Sequence, residues 1–256
     1  MVYSYEQFKT EFYRMTDIDL DSYKERQMKR RIDSLIATKG FTDYFHFIRR
    51  LKEDKELLQE FIEYITINVS EFFRNPEQWD YLEKEILPNY LAKDSLRIWS
   101  AGCSTGDEPY TISLIMLKYR KKGSFSVLAT DIDEKAISMA KAGEYGKKSI
   151  SNVPKEHLDK FTLNENGKYA IAPEIKRCVT FKKHNLFKDP YPKNIDLLVC
   201  RNALIYFTEE KKAEIFEQFY KSLSPGGILF LGNTEQVINF KEIGFERIAP
   251  FYYIKK

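Results

Sequence analysis

From Leu96 onward, short apolar runs alternate with amphipathic stretches: LRIWSAG, EPYTISLIMLKY, FSVLATD and EKAISMAKAG, then IDLLVC, KKAEIFEQFYKSL and GGILFLG. Apolar runs bounded by turn residues read as buried strands, and apolar positions three and four apart read as helices. Strand, helix, strand, helix predicts a parallel sheet covered by helices, a doubly wound α/β domain over 96–256. Residues 1–95 read differently. There Tyr5, Phe8 and Phe12, and again Phe41, Tyr44, Phe45, Ile48 and Leu51, recur at helical spacing, which predicts an all-helical N-terminal domain. Between about 143 and 180 the α/β rhythm breaks. Pro154, Asn164, Asn166, Gly167 and Pro173 punctuate a polar stretch there, with a hairpin turn expected at ENGK, so this stretch reads as an insertion. The tail FERIAPFYYIKK, rich in β-forming aromatics, is expected to close the sheet edge with an antiparallel strand.

Composition narrows the picture. With 43% apolar residues, 17 Tyr and 19 Phe, the 256-residue chain can bury a substantial core and is not disordered. The net charge of +3 is too small for a dedicated nucleic-acid binder. Its distribution is uneven, net −4 over 1–95 and net +7 over 96–256. Cys103, Cys178 and Cys200 are too widely and irregularly spaced for a disulfide framework or a zinc site. No metal is expected. Charge is spread through the N-terminus and no stretch is apolar enough for a membrane span, so a soluble cytoplasmic protein is expected.

In an open α/β sheet the turn after the first strand lines the ligand crevice, and here it reads Ala101-Gly102-Cys103-Ser104-Thr105-Gly106-Asp107-Glu108. A dinucleotide fold needs G-x-G-x-x-G with pyrophosphate at the helix start. This turn has G-x-x-x-G followed by two acids that repel phosphate and suit an ammonium or sulfonium group, as in S-adenosylmethionine. Taken alone, a glycine bend with acids at a helix start is also ordinary capping. The next strand ends in Asp131, 29 residues after Gly102, where a carboxylate can accept both hydroxyls of a ribose, or cap the following helix. VTFKKHNL brings Asn185 and Leu186 to the same edge, an amide and an apolar side chain for an adenine ring, although Asn185 alone reads equally as a turn residue. IDLLVCRN then ends in Arg201 and Asn202.

Six ordered segments carry a family resemblance: INVSEFFR (67–74), WSAGCSTGDEPYT (99–111), ATDID (129–133), FKKHNL (181–186), CRNALIYF (200–207) and SPGGILFLGNTEQ (224–236). On these the sequence resembles the CheR-type chemotaxis receptor methyltransferases, protein-glutamate O-methyltransferases that use S-adenosyl-L-methionine and release S-adenosyl-L-homocysteine. The resemblance implies a class I methyltransferase domain with an N-terminal helical domain over the cofactor cleft and a small β-subdomain inserted near 143–180. It implies that Asn68, Ser70 and Arg74 reach the cofactor from outside the sheet and that Gly102 lines its turn. Glu108 would meet the methionine end, Asp131 the ribose, Asn185 and Leu186 the adenine, and Arg201 and Asn202 the remaining contacts. Arg74 and Tyr206 match the catalytic positions. Ser70 stands where relatives often carry Thr, and Asp107 where they carry Glu.

A substrate glutamate, with a pKa near ~4.3, is already ionised at neutral pH, so methyl transfer needs no general base. The scattered histidines His46, His157 and His184 fit that requirement. Alignment and exclusion of water are what the residues must supply. Tyr206 can donate to the acceptor or wall the pocket. A helix expected over 22–39 puts Met28, Ile32, Leu35 and Ile36 on one face and leaves a basic ridge, Lys24, Arg26, Lys29, Arg30 and Arg31. Such a ridge is often a solvated face. Given the resemblance, Lys29, Arg30 and Arg31 become docking candidates for the acidic cytoplasmic helices of chemotaxis receptors. The compact NENGKYAIAPE hairpin suggests an enzyme independent of a receptor tail. The membrane is met only through the receptor, and a monomer is the default. Nucleic-acid methylation is disfavoured because CRNALIY replaces the D-P-P-Y type of motif, and a nicotinamide dehydrogenase fails at the glycine spacing. A noncatalytic cofactor sensor shares the fold.

Overall fold

A computed structural model describes residues 3–120 and 123–256. The chain forms two compact units, residues 1–67 with 204–214, and residues 68–203 with 215–256.

In the first unit lie α1 (Tyr5–Thr16), α2 (Glu25–Thr38), α3 (Tyr44–Glu53) and α4 (Lys55–Thr66). Their starts follow capping chemistry. Ser4 and Gln7 form a reciprocal capping box, Asp43 accepts the His46 N–H, and Asp54 accepts the N–H groups of Glu56 and Leu57. Phe8, Phe12, Phe47 and Phe61 fill the interior, with Phe61 edge-on to Phe12 at 5.0 Å and to Phe47 at 5.3 Å. The segment 204–214 is held here by Lys24 N–H to the Tyr206 carbonyl (2.8 Å), Thr208 N–H to the Ser22 carbonyl (3.0 Å) and the Tyr23 ring against Phe207.

The second unit contains α5 (Pro76–Tyr81), β1 (Leu96–Ala101), α6 (Asp107–Tyr119), β2 (Phe125–Asp131), α7 (Glu134–Ala142), β3 (Glu144–Tyr145), β4 (Phe161–Leu163) and β5 (Tyr169–Ile171). It continues with α8 (Pro173–Lys176), β6 (Val179–Lys183), β7 (Ile195–Cys200), the C-terminal part of α9 (Glu209–Ser222), β8 (Leu223–Leu231), α10 (Phe240–Ile243), β9 (Phe245–Ala249) and β10 (Tyr252–Lys255). The main sheet has the order β6-β2-β1-β7-β8-β10-β9. Its first five strands are parallel, and the tail adds β10 and β9 antiparallel, as the aromatic run FYY and its preceding Pro predict. Strand order reverses between β1 and β7, and a crevice opens at the carboxyl ends of such a pair. Residues 144–171 form a separate three-stranded antiparallel sheet, β3-β5-β4, whose hairpin turns at Asn164–Lys168 with Gly167 in the left-handed region.

The division between units falls at 67/68, where the helical pattern had suggested 95. Phe72, Phe73, Trp79, Leu82, Ile86 and Leu87 share a core with Leu96, Ile98, Ile112 and Leu114, so residues 68–95 are helical in kind but packed on the sheet.

Candidate active site

Gly102 ends β1 at φ +78°, and a Cβ there would stand 2.8 Å from the Ala203 Cβ. Only glycine lets the β1 turn and the end of β7 approach this closely. The Gly102 and Cys103 N–H groups close the turn on the Thr130 carbonyl at 2.8 and 2.9 Å.

The two acids at the start of α6 have different jobs. Asp107 is turned inward, accepting the Thr105 hydroxyl at 2.7 Å and also the Ser149 hydroxyl, and burial raises its pKa. It ties the turn to the chain after β3. Glu108 accepts the Ser100 hydroxyl at 2.8 Å and lies 3.9 Å from the Arg201 guanidinium. Burial lifts its carboxyl to about 7, with Arg201 and the Ser100 hydrogen bond pulling the other way.

Asp131 at the end of β2 does not cap α7; Asp133 does, accepting the Lys135 and Ala136 N–H groups. The Asp131 carboxylate instead receives the Ser104 N–H at 2.7 Å on one oxygen and the Asp133 N–H at 3.0 Å on the other. Burial raises its pKa against those bonds. Asn68 donates to Asp133 at 2.6 Å and accepts from the Ser104 hydroxyl at 3.5 Å, which fastens the 68–75 loop to this corner. The same loop is pinned from behind. Phe72 packs edge-on against Tyr145 and Phe161, its N–H bonds the Ser149 carbonyl at 3.0 Å, and Phe73 stacks on His157. Phe73, Asn75, Ser104 and Asn202 all take left-handed backbone conformations, a concentration of strain around one site.

Arg201 is built in more deeply than a simple ligand contact. Its guanidinium donates to the Arg74 carbonyl (2.6 Å), Asn75 Oδ1 (3.2 Å) and Gln78 Oε1 (2.7 Å), and lies 4.9 Å from the centroids of both Trp79 and Phe230. Burial lowers its pKa, yet Glu108 opposes that shift. Arg74 is half-buried, with Nη1 bonded to the Val69 carbonyl at 3.2 Å. Asn185 serves the turn as well, since Oδ1 accepts the Phe187 N–H at 2.9 Å, and Leu186 beside it is half-buried. The Asn202 N–H bonds Glu235 at 2.7 Å.

Of the residues singled out in the sequence, Asn68, Ser70, Arg74, Gly102, Glu108, Asp131, Asn185, Leu186, Arg201 and Asn202 all belong to the second unit. Tyr206 belongs to the first, half-buried, with its carbonyl on the Lys24 N–H. On α2, Lys29 is paired with Asp33 at 2.8 Å and Arg31 stacks on Tyr64 at 4.6 Å, whereas Arg26 and Arg30 are exposed. Sequence reasoning assigned no role to Asp133, Gln78 or Glu235. Glu235 stood inside a quoted motif; its place just past a strand end was the available signal.

The donor set fits a phosphate-free nucleoside carrying a cation. Two buried carboxylates, Glu108 and Asp131, bond the residues at either end of the β1 turn, Ser100 and Ser104, and two buried polar atoms, Asn202 Oδ1 and Arg201 Nε, have no hydrogen-bond partner. Comparison with known proteins names the family. Residues 68–249 match the model of the "CheR methyltransferase, SAM binding domain", and 4–66 that of the "CheR methyltransferase, all-alpha domain". The chain belongs to the CheR methyltransferase family. This CheR methyltransferase is 41% identical over 240 residues to a chemotaxis protein methyltransferase of Listeria innocua, covering 93% of this chain and 92% of the relative. It is 34% identical over 260 residues to one of Borreliella burgdorferi (95% and 90% covered) and 32% identical over 263 residues to chemotaxis protein methyltransferase 2 of Vibrio cholerae (97% and 88%). Among the described residues of this CheR methyltransferase, no helix is long and apolar enough to cross a membrane.

Proposed function

We propose that this chain methylates glutamate side chains on the cytoplasmic helical domain of chemotaxis receptors, leaving glutamate methyl esters, the covalent step of sensory adaptation. S-adenosylmethionine, when bound, supplies a methyl group activated on a sulfonium. The observation that carries the reading is the pair of buried carboxylates, Glu108 just after β1 and Asp131 at the end of the adjacent β2, next to where strand order reverses.

Glu108 takes the cofactor's ammonium and Asp131 its ribose hydroxyls. Asn185 and Leu186 flank the adenine, Gly102 gives close backbone approach, and Asn68, Ser70, Arg74, Arg201 and Asn202 complete the contacts. Arg74 orients the substrate carboxylate through its planar fork of donors. It must not bind that anion too tightly, because charge disappears as the bond forms and ground-state attraction lost in the transition state slows the reaction. Tyr206, in the first unit, is the second catalytic candidate on the family resemblance alone. No group needs to remove a proton. Catalysis is alignment in a water-poor site.

Receptor docking falls to the accessible part of the α2 ridge, Arg30 with Arg26, since Lys29 and Arg31 are engaged within their own unit. The enzyme works as a cytoplasmic monomer, meets the membrane only through its receptor and does not require a receptor tail. Incubation with methyl-labelled cofactor and receptor membranes, followed by mild base, is expected to release labelled methanol. Label absent from receptor, or stable to base, overturns the reading.

A further inference from the structure

The corner formed by Arg201 and Asn202 after β7 is held by a residue outside it. Glu235 is 3% exposed and its Oε2 accepts two backbone N–H groups, that of Asn202 at 2.7 Å and that of Gly232 at 3.0 Å. Its own N–H returns to the Gly232 carbonyl at 3.1 Å, so the side chain is locked over a tight turn after β8. No larger residue fits at Gly232. A Cβ there would stand 2.8 Å from Glu235 Oε2 and 2.9 Å from the Asn202 nitrogen. The fold thus leaves a slot sized for one carboxylate oxygen between the ends of two neighbouring strands.

What that oxygen fixes is unusual. Asn202 sits at φ +60°, and its Oδ1 is buried with no partner. An orphaned buried acceptor is destabilising unless a ligand donates to it. The amide packs on the Gly232 turn, where a Cβ would meet Asn202 Cγ at 3.2 Å, and the next residue, Ala203, stands against the Gly102 turn, so Asn202 lies one residue from the turn after β1.

We propose that Glu235 is a positioning residue for methyl transfer: by gripping the Asn202 and Gly232 N–H groups it holds Asn202 left-handed and presents Oδ1 to a donor group of the bound cofactor. The inference rests on the cofactor site proposed above. It requires an acceptor oxygen at full glutamate reach, and the negative charge is secondary.

Two conservative variants separate these requirements, with the full-length chain titrated calorimetrically with S-adenosylhomocysteine. Glu235→Asp keeps the charge but withdraws the oxygen by one methylene, and is expected to weaken binding about tenfold or more. Glu235→Gln keeps the oxygen in place and is expected to restore affinity to within about threefold of the parent. In an Asn202→Gly background, which tolerates the left-handed backbone and removes the amide, the Asp substitution should cause little further loss. Thermal midpoints measured alongside report any purely structural effect. A Gln variant as weak as the Asp variant, or an Asp loss that adds in full to that of Asn202→Gly, overturns the proposal. Should Glu235→Asp not fold, the Gln variant decides, and a tenfold loss there is fatal. Failure of the underlying site looks different, because then the parent protein itself gives no binding heat. If the parent binds and Asn202→Gly binds equally well, the site stands and Glu235 has no role through Asn202.

Discussion

Burial lifts the Glu108 carboxyl to about 7, against the pull of Arg201, which poises it to gain or lose its proton near neutral pH. A cofactor ammonium favours the ionised form. Affinity for S-adenosylhomocysteine should therefore be level above that value and fall by up to about tenfold per pH unit below it, with a proton released on binding near pH 7. Titrations in two buffers of different ionisation heat check this, since the apparent enthalpies should differ. Glu108→Gln should bind weakly and lose the pH dependence. Asp131→Ala should weaken binding by roughly tenfold to a hundredfold, as loss of charge-assisted hydrogen bonds worth about 1.5–3 kcal/mol implies. At this scale the sequence was partly readable. Asp131 stood out because it ends a strand. Spacing alone did not separate Asp107 from Glu108, which only the resemblance assigned, because besides Thr105 the hydroxyl that engages Asp107 belongs to Ser149, distant in sequence. Glu235 was hidden for the same reason, its partner Asn202 lying on another strand end.

The loop over 68–75 shows what elements add. The residues proposed to meet the cofactor, Asn68, Ser70 and Arg74, alternate with anchors, and the fully buried Phe72 is the deepest of them. Phe72→Ala should destabilise the protein by about 3–5 kcal/mol, read from urea unfolding, and weaken cofactor binding in the folded fraction. An unchanged unfolding midpoint would mean that the loop is anchored elsewhere. The main strands and longer helices from Leu96 onward were legible because each carries its own periodicity, including the antiparallel tail, whereas β3, α8 and α10 are too short to show one. The allegiance of α5 was not. Periodicity reveals which side of a helix is apolar, and it is silent on whether that side meets other helices or a sheet; Trp79 and Leu82 chose the sheet.

For the molecule as a whole, the uneven charge along the chain matters less than which charges remain accessible. Replacing Arg26 and Arg30 together with Glu should slow receptor methylation several-fold at low salt, and the difference should shrink as salt screens it, with S-adenosylhomocysteine affinity unchanged. An unaltered methylation rate at low salt would remove α2 from docking. The first unit is also not a simple N-terminal module, since residues 204–214 belong to it and supply Phe207 to Tyr23 and the Tyr206 carbonyl to Lys24. Anyone building chimeras between relatives must therefore transplant two stretches of sequence, not one. A graft spliced only at residue 67 would pair a foreign helical bundle with the host's 204–214 strap, mismatching the bridge that bears Tyr206, and such hybrids should be soluble less often than those exchanging both pieces.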